Sequence, residues 1–177
     1  MLSLFNSLIR SKLEYCSEIW CPYIIKDIKS VEQIQRCFTR KIEGMRDHSY
    51  YDRLKILDIM SLQRRRERNI ILHLWKIKNY YVPNSINIDF KENLRQQATK
   101  ANVKPLPKVK GKALTQYDNS FEIKAANLWN ILPGRLTKSA SLESFKMGLD
   151  KFLKDIPDEP PIFGYGHKIN CLDKVCA

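Results

Sequence analysis

Four arginines within five residues, Arg64, Arg65, Arg66 and Arg68, are the densest chemical feature of the sequence. A guanidinium is always charged, and its planar fork of donors matches phosphate or carboxylate oxygens in bidentate geometry. In Ser61–Tyr81 the apolar residues Ile70, Leu74, Ile77 and Tyr81 recur at helical spacing, widened by Ile71 and Trp75. Ser61 can cap the start of that helix, and the arginines then crowd its first turns, where the helix dipole favours anions. Such a placement demands an anionic partner. Either a phosphate backbone supplies it, or the arginines form a solvated face with local carboxylates. Arg36, Arg40 and Lys41 add cations on a preceding segment, and Lys104, Lys108, Lys110 and Lys112 continue the series beyond it. Tyr50-Tyr51 and Tyr80-Tyr81 flank the arginines in sequence, where they would either stack on bases or cap a core.

Catalytic chemistry finds no comparable set of residues. Two-metal nucleotidyl transfer needs clustered carboxylates, and the sequence has no Asp-Asp pair. Gly111-Lys112 lacks the upstream glycine of a phosphate-binding loop, and no Gly-x-Ser-x-Gly elbow occurs. His167, Cys171 and Cys176 are three zinc-ligand types in the tail, but a closed structural site needs four. No catalytic residue, metal ligand or cofactor is therefore assigned. His73 is expected against a core, and Cys16 and Cys37 as small inward-facing hydrophobes.

The elements that must position the arginines are all helical. Leu2, Phe5, Ile9, Leu13, Cys16 and Trp20 predict an amphipathic helix over 2–20, stopped by Pro22. A second runs from about Asp27 to Glu43, with Ile28, Val31, Ile34, Phe38 and Ile42 inward, before Gly44. A short helix over Tyr50–Leu57 precedes the arginine-bearing one. Residues 82–119 have weak periodicity, prolines and repeated lysines, which reads as a basic linker of low order. Phe121, Ala125, Leu128, Trp129 and Leu132 mark a helix ended by Pro133-Gly134. Ser141 caps a last one, with Leu142, Phe145, Leu149, Phe152 and Ile156 inward. The expectation is an all-α chain: a helical subdomain over 1–81, a linker over 82–119, a C-terminal helical pair over 120–156 and a poorly ordered tail over 157–177.

The charge distribution supports the arginine reading. The 177 residues carry a formal charge of +12, and residues 61–118 hold 13 basic against 4 acidic groups. An excess confined to one segment is the footprint of a phosphate contact rather than of a generally basic protein. No apolar run reaches the ~20 residues of a bilayer span, and no secretory cleavage pattern follows Met1–Phe5. Five scattered cysteines then read as reduced thiols of an intracellular protein, nuclear or cytoplasmic.

Many short motifs in order resemble the region following the palm in jockey-like non-LTR (LINE-class) retrotransposon reverse transcriptases. They begin with Leu8-Ile9-Arg10, Leu13-Glu14-Tyr15-Cys16-Ser17, Trp20, Pro22 and Tyr23. Next come Glu32, Ile34-Gln35-Arg36, Phe38-Thr39-Arg40, Ile42 and Gly44, similar to the family's E-x-[IV]-Q-R-x-[FY]-T-[RK]-x-[IL]-x-G. Ser49-Tyr50, Arg53-Leu54, Leu57, Ser61-Leu62, Arg65-Arg66 and Trp75-Lys76-Ile77 follow. Leu128-Trp129-Asn130-Ile131-Leu132-Pro133 is similar to the family's LWNSLP, and Ser141-Leu142-Glu143-Ser144-Phe145-Lys146 with Leu149-Asp150 completes the match over roughly residues 1–156.

The resemblance implies a helical thumb and post-thumb extension that grips primer–template or element RNA. The Mg²⁺-binding aspartates of such polymerases lie in a palm that the match does not include. An open reading frame starting at Met1 inside the match is what a 5′-truncated element would give. The implied behaviour is sequence-independent binding of RNA, RNA/DNA hybrid or DNA duplex, with the palm and fingers of a full-length copy as further partners, no membrane, and no polymerase activity alone. Two alternatives stand beside it: a helical interaction or self-association module, and the product of a decayed element without function.

Overall fold

The computed structural model of the chain describes residues 1–83 and 120–158. All regular structure among them is helical, as the hydrophobic spacing predicts. Helix α1 is continuous through Leu2–Leu4, a π-helical segment Phe5–Arg10 and Ser11–Glu14. It is followed by α2 (Ile25–Arg40), α3 (Tyr50–Ile56), α4 (Leu62–Lys78), α5 (Phe121–Asn130), α6 (Gly134–Thr137) and α7 (Leu142–Asp155). No helix among the described residues is long and apolar enough to cross a membrane.

The helices form two compact units. The described part of the first is 1–69 with 150–158, and that of the second is 70–83 with 120–149. Residues 62–69 of α4 and 150–155 of α7 therefore belong to the first unit and the rest of each helix to the second, so these two helices contribute to both cores.

The second unit has an apolar core. Ile70, Ile71, Leu74, Trp75 and Ile77 of α4 are buried, with Ala125, Leu128 and Trp129 of α5, Leu132, Leu136 of α6, and Phe145 and Leu149 of α7. Phe145 stacks on Trp75 at 5.4 Å between ring centroids and lies 6.0 Å from Trp129. His73 meets Phe121 edge-on at 5.5 Å, the packed position expected of it. Tyr81 leaves the α4 stripe and is exposed, because Tyr80 turns the chain with a φ of +62°. Pro133-Gly134 ends α5 but also opens α6, since proline's fixed φ suits a helix entrance. Ser141 caps α7 by accepting the Ser144 amide at 3.2 Å.

The first unit is built differently. Phe5, Ile28, Tyr50, Leu54, Leu62 and Leu153 are its buried apolar residues, but Arg10, Ser17, Glu32, Gln35, Thr39, Arg53, Ser61, Gln63, Arg64, Arg66 and Glu67 are buried beside them. In the π segment of α1, i→i+5 bonding brings residues five apart to one face, and Phe5 and Arg10 are its two buried residues. Phe5 stacks on Phe38 at 4.2 Å.

Two expectations for this unit are corrected. Helix α1 ends at Glu14 rather than residue 20: Tyr15 is extended and Cys16 has a φ of +50°, which no continuing helix admits. Trp20 is consequently exposed, its indole Nε1 donating to the Tyr15 carbonyl, and Cys16 lies only half-buried. On α2 the fully buried stripe is Ile28, Glu32, Gln35 and Thr39, whereas Ile34 and Cys37 face solvent. Hydrogen bonding to neighbouring elements outweighs apolar burial in setting that helix's rotation.

Candidate nucleic-acid interface

The arginines of α4 meet the chain's own carboxylates and carbonyls. Arg64 is 1 % exposed; its Nη2 donates to the Pro157 carbonyl at 2.7 Å, and its Nε lies 3.6 Å from Asp158. Arg65 forms a bidentate pair with Glu14, with Nη2 donating to Oε2 at 2.7 Å. Arg66, also 1 % exposed, donates to the Leu62 and Leu13 carbonyls and lies 4.8 Å over the Trp20 ring. Arg68 clasps Asp150 with Nε at 2.5 Å and Nη2 at 2.9 Å. That hydrogen bonding raises the Arg68 pKa against the opposing effect of burial. The expectation of a cationic face presented to solvent is therefore corrected for Arg64 and Arg66, which are buried, while Arg65 and Arg68 are half-buried in ion pairs.

The helix start resolves the dipole conflict in the same way. Four amides open α4. Ser61 N–H donates to Asp158 Oδ2 at 2.7 Å, Leu62 and Gln63 N–H to the two oxygens of Glu32 at 3.1 and 3.2 Å, and Arg64 N–H to Ser61 Oγ at 3.0 Å. Two carboxylates at a helix N-terminus interact favourably with its partial positive charge. Glu32 also accepts a short hydrogen bond from the Tyr50 hydroxyl. Burial nevertheless raises the Glu32 pKa, only partly opposed by its Tyr50 and Leu62 hydrogen bonds. The Tyr50 pKa rises as well, from burial first and the adjacent Glu32 second. Gln35 ties this network to α1: it accepts from Arg10 Nη2 at 3.1 Å and donates to the Tyr50 hydroxyl and the Met60 carbonyl. Fully buried Glu67 lies 4.0 Å from Arg64 Nε, and burial pushes its pKa well above 4.5.

The remaining sequence candidates are reached through α2. Arg40 and Lys41 are exposed at its C-terminal end, and Arg36 is half-buried with its guanidinium 4.5 Å over the Tyr50 ring. Exposed Arg46 and buried Arg53 join them, although the sequence reading assigned neither. Arg53 is 5 % exposed and bonds only neutral acceptors: Thr39 Oγ1 at 3.2 Å and the carbonyls of His48 and Arg36 at 2.6 and 3.5 Å. Burial lowers its pKa, and the nearby Arg36 and Arg40 lower it further. Arg46 follows Gly44 in sequence, whose φ of +74° turns the chain after α2; that glycine was the available signal. Lys104, Lys108, Lys110 and Lys112 lie outside the described residues, as do His167, Cys171 and Cys176. Among the described residues, no group of three or more His, Cys, Asp or Glu is arranged to hold a metal ion.

No known protein family, curated protein or solved structure matches the chain.

Proposed function

We propose that this chain binds the phosphate backbone of nucleic acid without sequence preference, as a thumb-like module of jockey-like non-LTR reverse transcriptase origin that does not polymerise on its own. The observation that carries the reading is the exposed cationic cluster at the end of α2. Arg40, Lys41 and Arg46 make no ion pair with another described residue, so their charge is available to an outside anion. The linker lysines extend the same charge along the sequence. The α4 arginines leave the binding role and instead tie α4 to Leu13 and Glu14 of α1, to Asp150 of α7 and to Asp158. The resemblance gains support from how its motif residues converge. Arg10, Glu32, Gln35, Tyr50 and Leu62, drawn from four separate motifs, belong to one buried hydrogen-bonded network.

Salt-titrated gel shifts with RNA, RNA/DNA hybrid and DNA duplexes test the binding. Six to eight phosphate contacts predict an affinity loss of about 10³-fold or more between 50 and 200 mM salt. A flat salt response, or no shift at all, overturns it. Template-dependent extension of a primer by the purified chain with Mg²⁺ and dNTPs would overturn the non-enzymatic part.

One observation favours a second reading as an interaction module. Leu4, Leu8 and Ile9 of α1, with Ile19, Trp20, Ile24 and Ile25 after it, are exposed within one stretch of chain. Clustered exposed apolar residues mark association surfaces. Sedimentation at high salt that gives oligomers, with no nucleic-acid shift, would favour that reading.

A further inference from the structure

The unbalanced charge at the end of α2 converges on a small pocket of about 290 Å³. Arg36, Arg40, Arg46 and Arg53 line it together with His48 and Gln33, and no Asp or Glu does. That volume is at the small end for ligand sites and suits a phosphate with its attached sugar better than a larger molecule.

Two features make this a built site. Arg53 is a buried cation whose acceptors are all neutral, so no carboxylate of the described chain offsets its charge. Buried charges are ordinarily paired, and a buried arginine left with like-charged neighbours is stabilised by any anion that enters. Arg36 is held over the Tyr50 ring, and that ring is itself fixed by the hydrogen bonds from its hydroxyl to Glu32 and from Gln35. A guanidinium positioned in advance loses less conformational freedom on binding. Three of the four α4 arginines, by contrast, have a carboxylate opposite them: Asp158 for Arg64, Glu14 for Arg65 and Asp150 for Arg68. The two arginine clusters of the first unit are thus opposite cases, one compensated internally and one left open.

We propose that this pocket seats a phosphate dianion, the terminal phosphomonoester of a nucleic-acid strand. The inference rests on the nucleic-acid reading and sharpens it to one strand end. Four guanidiniums without an acid match a monoester, which carries about −1.5 to −2 at neutral pH, better than a backbone diester with its single charge. Arg40 and Arg46, at the exposed mouth, meet the phosphate oxygens in bidentate fashion, while Arg53 supplies fixed positive charge from below.

Two titrations of the purified chain test this. In the first, inorganic phosphate is added at constant ionic strength and followed by calorimetry, with chloride as the reference. Saturable one-site binding is expected, weakened about tenfold or more in Arg40→Gln and Arg46→Gln, because each loses a charge-assisted hydrogen bond. The variant Lys12→Gln, which removes an exposed cation elsewhere, is expected to bind phosphate like the parent. In the second, a 5′-phosphorylated RNA oligonucleotide is compared with its 5′-hydroxyl twin, and likewise for 3′ ends. One phosphorylated end is expected to bind tighter, with the gap lost in Arg40→Gln and Arg46→Gln. Phosphate binding no different from chloride overturns the pocket. So does a gap that persists in the two variants. Equal, salt-sensitive binding of all oligonucleotides overturns the strand-end assignment and leaves the wider reading standing. Phosphate binding without any oligonucleotide binding overturns both the strand end and the nucleic-acid reading.

Discussion

At the scale of single residues, the first unit is governed by buried groups that are ordinarily found in water. Glu67 is the sharpest instance. Its folded pKa lies well above 4.5 because burial penalises the carboxylate. Raising a carboxyl pKa on folding means that the native state binds more protons than the unfolded state between the two values. Stability therefore falls as pH rises through that window, and the penalty persists above it. Replacing the ionisable group with an amide should remove this dependence. Thermal melts of Glu67→Gln are expected to show the variant gaining on the parent as pH is raised from 4 to 8; a gap that narrows or reverses sign in that direction would contradict the assignment. Tyr50 makes a second case. Its hydroxyl donates to Glu32 and accepts from Gln35, so Tyr50→Phe leaves two buried polar groups short of a partner. A loss of about 1–3 kcal/mol is expected in urea unfolding.

At the scale of elements, α4 carries two chemistries in one helix. Its N-terminal half bonds to carboxylates brought from α1, α2 and α7, and its C-terminal half packs an apolar core. The amphipathic pattern of Ile70–Ile77 was legible because burial of apolar groups follows helical period directly. The carboxylate partners of its first turns were not, since Glu14, Glu32, Asp150 and Asp158 are 30 or more residues from Leu62 in sequence, and pattern reading carries no information at that range. The two halves should respond to different substitutions. Ser61→Ala removes a cap that bonds both the Arg64 amide and Asp158, costing about 1–2 kcal/mol. Phe145→Ala opens a cavity between Trp75 and Trp129, costing about 3–5 kcal/mol. Chemical denaturation of both variants measures the difference.

At the scale of the whole molecule, the described cationic residues divide into those bonded within the fold and exposed ones, such as Arg40 and Lys41, that make no ion pair with another described residue. Arg64→Met leaves Asp158 without its guanidinium and the Pro157 carbonyl without its donor, and is expected to destabilise by about 3–5 kcal/mol, as removing one partner of a buried pair does. Arg40→Gln and Lys41→Gln touch exposed side chains and are expected to change stability by under about 0.5 kcal/mol. In gel shifts each should weaken binding uniformly across sequences and lower the salt slope by about 1. Melting curves beside the shifts separate the two classes, and an Arg64→Met protein that is stable but fails to bind would return α4 to the interface.

The sequence by itself determined the all-helical class, the start of α4 at its Ser61 cap and the apolar stripes of the second unit, because these depend on neighbours within a few residues. It also located the excess of positive charge. Only the tertiary structure decided which cations are spent. Three-dimensional proximity brings Glu14, Glu32, Asp150 and Asp158 to α4 and neutralises it, while no carboxylate lines the pocket around Arg53. Charge is additive along a chain, but electrostatic energy depends on distance and burial, and those are properties of the fold.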